Sequence, residues 1–164
     1  GQMFPPVLLL IPFYVQLRVF GWLDSLWGLV PVYMSYMLPL CVWLMRGFFA
    51  QVPMSLEDAA RMDGCTRWQA FWRVILPMAL PGIVAVATWG MIHTWNEYLY
   101  ASTFIMSQRN RTLPLSLSDL IGQYSTDWGM LMAGGVITSV PILLVFFVLQ
   151  KSLVSGIGGG AVKG

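Results

Sequence analysis

The residues that could do chemistry are few in this sequence, and they lie in two places. His93, Thr94, Asn96 and Glu97 form the only polar cluster within an otherwise apolar run, and residues 55–77 form the one charged, amphipathic passage between long apolar runs. Ionisable groups inside a membrane are costly enough to indicate a function. An amphipathic passage between apolar runs is typical of a docking or interfacial element. The cluster could therefore serve a transport pathway, and the passage could serve contact with another protein.

The sequence contains few residues that could form a catalytic site or a metal site. His93 is the single histidine, so a Ser-His-Asp arrangement would have to include it. Cys41 lies in an apolar run and Cys65 in the charged passage, so we expect no disulfide between them. Neither has a histidine or second cysteine at metal-ligand spacing, and we expect no metal and no cofactor on this chain. A membrane-embedded enzyme remains a third hypothesis.

The composition predicts a membrane protein. The chain has 164 residues, of which 57% are hydrophobic and only 10% are charged. These values lie outside the range of a soluble globular domain. The net charge of +2 is small and the basic residues are scattered, so we expect no nucleic-acid partner.

Four apolar stretches are long enough to cross a hydrocarbon core of about 30 Å. They comprise residues 3–20, 26–45, 74–96 and 128–150. We therefore predict an all-α membrane protein, a polytopic bundle of about four transmembrane helices in one domain over residues 1–164. Residues 107–127 are polar and irregular and predict a loop with a short helix at 116–121. Residues 152–164 predict an extended, Gly-rich tail.

The distribution of basic residues predicts the orientation. Four spans put residues 53–77 and the C-terminus on one side, together with Arg46, Arg61, Arg67, Arg73, Lys151 and Lys163. The other side receives Arg18, Arg109 and Arg111. The positive-inside rule makes the first side cytoplasmic. Residues 107–127 would then face outward.

The local pattern of the charged passage predicts two short helices. Two pairs fit a capping box or a near variant of it: Ser55 with Asp58, and Thr66 with Gln69. Gly64 lies between them, where a left-handed helix cap favours glycine. Pro77 is expected to end or kink the second helix because it has no N–H and crowds the preceding turn.

Each of these helices has a distinct face. Small or flat side chains recur on the first at Leu56, Ala59, Ala60 and Asp63, and Glu57 could pair with Arg61 at i,i+4. The second has an aromatic face opposite Arg67 and Arg73, made of Trp68, Phe71, Trp72 and Ile75. Residues alone leave two alternatives open, namely a docking element for another protein and an interfacial helix that lies in the lipid headgroups.

The spacing within this passage resembles the EAA loop of ABC importer permeases, Glu-Ala-Ala-x3-Gly-x9-Ile-x-Leu-Pro. The corresponding residues here are Asp58, Ala59, Ala60, Gly64, Val74, Leu76 and Pro77. Asp58 replaces the usual glutamate, Val74 replaces the usual isoleucine, and Glu57 precedes as a second acidic residue. In that family the loop docks into a cleft on a cytoplasmic ATPase subunit. The resemblance implies this role for these residues and for the flanking Leu56 and Met62.

Other segments resemble the sugar-importing branch, in particular its maltose-type inner subunit. They are QMFPP, LPG followed by WNEYLYA, RTLPLSL, GQYSTDWG and GAVKG. The resemblance covers essentially the whole chain and matches the C-terminal part of such a permease, so we expect further spans before residue 1. It implies four kinds of partner: a cytoplasmic ABC ATPase dimer that binds the ATP, a second permease subunit, an extracytoplasmic solute-binding protein and membrane lipid. It also implies a multi-pass protein of a bacterial-type inner membrane. By the resemblance the C-terminal tail would reach toward the ATPase, whereas the residues alone favour a disordered tail.

The chain itself carries no Walker-type loop, a Gly-rich run followed by Lys and Ser or Thr, so we expect no enzyme activity on this subunit. His93, Asn96 and Glu97 are candidates for a pathway or for a surface that faces the binding protein. An importer of a non-sugar solute is the first alternative. An ion-coupled carrier is the second, and among the spans only His93 offers it an ionisable group near mid-bilayer.

Overall fold

The structure is a computed structural model that describes residues 5–122 and 126–158, with side chains up to residue 150. A 3₁₀ turn at Pro6–Leu9 comes first. The α-helices that follow are α1 (Leu10–Val19), α2 (Leu26–Ala50), α3 (Met54–Met62), α4 (Arg67–Ala70), α5 (Leu76–Trp95), α6 (Leu99–Phe104), α7 (Leu113–Ser118) and α8 (Trp128–Gly158). The described residues contain no strand, only an isolated bridge between Ile121 and Thr126. The all-α class is confirmed.

Three helices are long and apolar enough to cross a membrane: Leu26–Ala50, Arg67–Trp95 and Trp128–Gln150. The first predicted span is shorter than expected, because its helical part runs only over Pro6–Val19. Pro5 is extended, with φ −55° and ψ 132°, and Gly21 turns the chain with φ +68°. At 1.5 Å per residue this segment is about 20 Å long, less than a bilayer core.

A π turn at Phe71–Ile75 joins α4 to α5, so that the chain is helical from Arg67 to Trp95. Pro77 does not end the helix, which was one of the two outcomes that the sequence predicted for it. Pro77 has no N–H to donate to the carbonyl four residues earlier, and the wider π turn lies directly before it. The helix therefore continues through the proline, and the charged passage is joined to a span without a break.

The chain divides into two compact units. The first comprises Gly1–Leu40 and Met91–Val145, and the second comprises Cys41–Gly90 and Phe146–Gly164. The first has a hydrophobic core centred on α6, in which Tyr100, Ala101 and Phe104 are at most 3% exposed. In the second, the buried residues of α5 include Ala79 and Gly82, and a Cβ at Gly82 would lie 2.3 Å from the Phe48 ring. Small residues thus permit close helix packing there.

Two segments near the C-terminus differ from expectation. The predicted short helix is α7, Leu113–Ser118, which begins three residues earlier than predicted because Thr112 is extended and Pro114 stands in the first turn. Helix α8 continues to Gly158, so the predicted extended tail is wrong for residues 152–158. Residues 159–164 of that tail and residues 123–125 of the GQYSTDWG segment lie outside the described residues.

Candidate functional site

The first helix of the coupling segment, which we define as residues 53–77, begins at Pro53 and not at Ser55. Pro53 is its N-cap, with φ −62° and ψ 132°, and its carbonyl accepts from the Leu56 N–H at 3.1 Å. No side chain caps this end. The predicted Ser55 capping box is therefore wrong, since a proline with preset φ starts the helix two residues earlier.

Gly64 ends α3 in a Schellman motif, as the sequence predicts. Its φ is +86°, and its N–H donates to the carbonyl of Arg61 at 3.1 Å. The N–H of Cys65 donates to the carbonyl of Ala60 at 3.0 Å. These two bonds satisfy carbonyls that a helix end leaves free. A positive φ favours glycine, so Gly64 fixes the bend between α3 and α4.

Thr66 begins α4 with the predicted capping box. The Thr66 hydroxyl accepts from the Gln69 N–H at 3.3 Å, and the Thr66 N–H donates to the Gln69 side-chain oxygen at 2.9 Å. Glu57 lies 3.6 Å from Arg67 across the bend, so the predicted pair with Arg61 is wrong. Because the Arg67 side chain is 82% exposed, this ion pair contributes little to stability. Caps and backbone bonds therefore define the bend.

The residues of the predicted small-residue face of α3 differ in burial. Ala60 is 7% exposed and packs inward with the half-buried Leu56, whereas Ala59 and Asp58 are exposed. The exposed side of α3 also carries two long apolar side chains, Met54 at 81% and Met62 at 89% exposure. We call the exposed residues Met54, Asp58, Ala59 and Met62 the docking face. An acidic group among flexible apolar side chains suits a protein partner.

The bend and the second helix present further surface. An open depression of about 590 Å³ lies at the bend and includes Asp58, Met62 and Cys65 in its lining. Trp68 and Trp72 are 70% and 60% exposed, while Phe71 is half-buried with its ring 6.2 Å from that of Phe49. Leu76 is half-buried and begins α5, and Pro77 is exposed. Cys41 and Cys65 are both free thiols.

The predicted polar cluster lies at the end of α5, and its members face different surroundings. Glu97 is half-buried, and its carboxylate accepts from the backbone N–H groups of Tyr100 at 2.8 Å and Ala101 at 3.2 Å. It also accepts from the Tyr33 hydroxyl of α2 at 2.8 Å. These bonds satisfy the free N–H groups at the start of α6. Glu97 thus holds α6 in place.

His93 and Asn96 have exposed side chains. The Asn96 amide donates to the carbonyl of Ile92 at 2.8 Å. Thr94 is half-buried and donates to the sulfur of Met37 at 3.0 Å. The cluster is therefore contiguous in sequence, but its polar groups do not converge on one point. Among the described residues, no group of three or more His, Cys, Asp or Glu side chains could hold a metal ion.

Asp24, in the connection between α1 and α2, makes contacts that the sequence analysis did not predict. The Ser25 hydroxyl caps α2, where it accepts from the Trp27 N–H at 3.3 Å. The Asp24 carboxylate instead accepts from the N–H groups of Met106 at 2.9 Å and Ser107 at 2.8 Å. The backbone hydrogen bond from Ser107, followed by that from Met106, lowers the pKa of Asp24 below its usual value of 3.8. No short-range signal could have revealed partners 82 residues away.

A cavity of about 480 Å³ lies among the first turns of α2, the end of α5 and the start of α7. Its lining is mainly apolar and aromatic, with Tyr33 and Trp95 among the rings and Arg111 among the polar residues. The Arg111 guanidinium is in contact with the Asp119 carboxylate. Trp95 donates its ring N–H to the carbonyl of Thr138 at 3.2 Å. Arg111 Nε and the Thr112 hydroxyl, by contrast, are buried and have no hydrogen-bond partner, so two polar atoms of the lining residues are left unsatisfied.

Comparison with known proteins gives the class. A family model described as "Binding-protein-dependent transport system inner membrane component" matches residues 1–158. The chain belongs to this family of membrane permeases. The resemblance inferred from the coupling segment is therefore confirmed, and so is a multi-pass membrane protein.

Three individual matches are close in sequence or structure. The chain is 40% identical over 164 residues to the diacetylchitobiose uptake system permease protein DasC of Streptomyces coelicolor, and it spans 59% of that protein. It is 35% identical to the trehalose transport system permease protein SugB of Mycobacterium tuberculosis, of which it spans 60%. A crystal structure of a bacterial ABC transporter that imports alginate aligns with a TM-score of 0.67 and 27% identity, over 86% of this chain and 55% of that one. The chain thus spans little more than half the length of its relatives.

Proposed function

We propose that this chain is part of the membrane-spanning permease subunit of an ATP-driven importer that takes up a carbohydrate. The observation that carries the proposal is the coupling segment. Its first helix projects an exposed docking face, ends at Gly64 in a fixed bend, and continues through α4 and the π turn into a membrane-length helix. A force applied to α3 would be transmitted through this bend to a span.

The partner of the docking face is a cytoplasmic ATPase on a separate chain. Asp58 and Ala59 lie at the positions of the family motif that the resemblance assigns to ATPase contact, and both are exposed. ATP-driven closure of the ATPase dimer would move α3 and tilt the spans, and access would switch from outside to inside by rigid-body motion. We propose that residues 53–77 and the C-terminus lie in the cytoplasm, and the distribution of basic residues supports this orientation through the positive-inside rule.

The substrate class follows from the relatives. Those named above serve diacetylchitobiose and trehalose, a trehalose/maltose permease of Thermococcus litoralis is 32% identical, and the matching crystal structure imports a polysaccharide. These solutes are all glycans, and they are neutral apart from alginate. We therefore propose that the substrate is an oligosaccharide that an extracytoplasmic binding protein delivers to the outer side of the permease. His93 and Asn96 would be among the residues that face this binding protein. A second permease subunit would complete the pathway.

The coupling assignment is tested by placing bulk and charge on the docking face. Ala59→Arg in the full-length permease should lower both uptake and substrate-stimulated ATPase activity by about tenfold or more, since an uncompensated charge at an interface core is costly. Ala59 suits this test better than Ala60, because Ala60 is buried and its replacement would disturb the fold. Gly64→Val should have the same effect, since a β-branched residue disfavours φ +86°.

Gln51→Arg is the matched control, because Gln51 is exposed and lies outside the docking face. The amount of each variant in the membrane is measured by immunoblot. If uptake and ATPase stimulation survive both Ala59→Arg and Gly64→Val, the docking assignment is wrong.

The substrate and the energy source are tested together in proteoliposomes that contain the full-length permease, its ATPase and its binding protein. Labelled trehalose, maltose and diacetylchitobiose are offered with and without internal ATP. Uptake of at least one of them should require ATP and be insensitive to ionophores. Uptake of an amino acid or an inorganic ion in place of all three would contradict the carbohydrate proposal.

A further inference from the structure

A single residue in the α1–α2 connection holds the start of the outer segment, which we define as residues 105–122. The Asp24 carboxylate accepts from the Met106 N–H at 2.9 Å, from the Ser107 N–H at 2.8 Å and from the Ser107 hydroxyl at 3.0 Å. Its backbone N–H donates to the carbonyl of Phe104 at 2.9 Å, and its carbonyl accepts from the Asn110 side chain. We call these five hydrogen bonds the Asp24 clasp.

The backbone of Asp24 is in the left-handed region. Its φ is +56°, and among the described residues it is the only one other than glycine with a positive φ. Such a conformation is unfavourable for most side chains, though aspartate tolerates it better than most. It persists where several contacts over-determine it, and such residues cluster at functional sites. The connection is thus held in a conformation that presents both the carboxylate and the carbonyl of one residue to the outer segment.

The outer segment begins directly after helix α6, and α6 is itself held in place near both ends. Helix α6 has a carboxylate near each end. Glu97 accepts from the N–H groups of Tyr100 and Ala101 in its first turn. Asp24 accepts from the N–H groups of Met106 and Ser107, which lie just beyond its last residue. Between these ends Tyr100, Ala101 and Phe104 are buried in the core. The outer segment therefore starts at a fixed point and in a fixed direction.

We propose that Asp24 is a positioning residue that orders the outer segment for contact with the solute-binding protein. This inference rests on the proposed function, because it takes the outer segment as the surface that meets that protein. A segment ordered in advance loses less conformational entropy on binding. Loss of the clasp should therefore raise the concentration of binding protein needed for half-maximal ATPase stimulation, while the maximal rate stays the same.

Three variants separate the effect of the Asp24 carboxylate from the effect of the backbone strain at Asp24. Asp24→Gly removes the acceptor and relieves any strain at φ +56°, Asp24→Ala removes the acceptor and keeps the strain, and Asp24→Asn keeps one acceptor oxygen. The full-length permease with its ATPase is placed in nanodiscs, and ATPase activity is titrated with the solute-binding protein that co-purifies with the complex.

Asp24→Gly and Asp24→Ala should each raise the half-maximal concentration about tenfold, and Asp24→Asn about threefold or less, with maximal rates within about twofold of the unsubstituted protein. The proposal is overturned if Asp24→Gly matches the unsubstituted protein, because strain alone would then explain the alanine variant. The proposal is also overturned if Asp24→Gly and Asp24→Ala lower the maximal ATPase rate and leave the half-maximal concentration of binding protein unchanged.

A second measurement does not depend on any binding protein. Arg109 is exposed within the clasped turn, so trypsin added to the outer side of right-side-out proteoliposomes reports local opening. Asp24→Gly should be cleaved at Arg109 about tenfold faster than the unsubstituted protein. Ser102→Ala is the matched control, since that hydroxyl bonds only to the carbonyl of Leu99 three residues away. Equal rates of cleavage at Arg109 in Asp24→Gly and the unsubstituted protein would show that the Asp24 carboxylate does not order the outer segment.

The two measurements distinguish this inference from the proposed function. If no solute-binding protein stimulates the unsubstituted complex, the proposed function fails, whereas the cleavage rates still decide whether Asp24 orders the outer segment. If stimulation occurs and the variants neither bind more weakly nor open faster, the clasp alone is wrong.

Discussion

We call α6 and the residues that bond to it the outer region. This region and the coupling segment are held in place by different kinds of contact. Around α6, the hydrogen bonds that hold the backbone join residues far apart in sequence, such as Tyr33 with Glu97 and Asp24 with Ser107. In the coupling segment, the bonds join near neighbours, such as Gly64 with Arg61 and Thr66 with Gln69. The outer region also has a buried aromatic core, whereas the coupling segment exposes Met62 almost fully.

This difference fits the roles that we propose for the two regions. Long-range bonds and burial make a region open only together with the rest of its unit. Local caps define the shape of a short element but leave its surface available, as a helix that docks onto another protein requires. We therefore expect substitutions in the outer region to change the stability of the protein, and substitutions in the coupling segment to change function with little change in stability.

The largest effect on stability should come from Gly28→Ala, at the start of α2. A Cβ at Gly28 would lie 2.2 Å from the carbonyl oxygen of Trp22, and this backbone atom cannot move away as a flexible side chain could. Forced overlap of this kind costs about 1–3 kcal/mol or more. The midpoint of thermal unfolding of the full-length protein in detergent should fall.

Gly47→Ala in the same helix is the matched control, since nothing lies within 4 Å of a Cβ there. Its unfolding midpoint should stay the same or rise, because alanine is favoured over glycine inside a helix by about 0.5–1 kcal/mol. If both variants unfold at the same temperature, the close approach at Gly28 does not exist in the membrane-inserted protein.

The next largest effect should come from Glu97→Ala, which leaves the N–H groups of Tyr100 and Ala101 and the Tyr33 hydroxyl without their acceptor. Leaving buried donors unsatisfied costs about 1–3 kcal/mol. Hydrogen exchange of the α6 amides, followed by mass spectrometry, should become faster.

Tyr33→Phe separates the contribution of the Tyr33–Glu97 hydrogen bond from that of the two α6 amides. It removes the first hydrogen bond and leaves both amides satisfied. Its effect should be smaller, about 0.5–1.5 kcal/mol. Transport that is lost in Glu97→Ala while α6 exchange is unchanged would mean that Glu97 serves the pathway or the binding protein directly.

The smallest effect on stability should come from Thr66→Ala in the coupling segment. It removes the hydroxyl half of the capping box, which is worth about 1 kcal/mol locally, and it should not alter the unfolding midpoint of the whole protein. Amide exchange within α4 should become faster, and ATP-driven uptake should fall as the bend becomes less defined. Thr66→Ser retains the acceptor and should behave as the unsubstituted protein does. A drop in global stability as large as that of Glu97→Ala would contradict the comparison.

The sequence alone predicted the all-α membrane class, the bend at Gly64 and the capping box at Thr66. Each depends on residues within a few positions of one another, or on long apolar runs, so the physics that decides them is local. Local patterns also gave errors. Pro53 competes with Ser55 for the start of α3, Arg67 competes with Arg61 for Glu57, and a π turn accommodates Pro77. For Glu57, both arginines are acceptable partners by local rules, and only the bend brings Arg67 within 3.6 Å of it.

What only the tertiary structure decided lies mainly in the outer region. Glu97 reads in the sequence as a polar group in a span, and Asp24 reads as a helix-start residue, yet the two carboxylates bind near the two ends of the same short helix. Ala59 and Ala60 are identical in type, but one is exposed for a partner and the other is buried. A carboxylate or a methyl group has no preference for a particular partner until the fold brings one within reach. Composition and spacing therefore determined what kind of protein this is, and the fold determined which of its few polar groups position the surfaces that it uses.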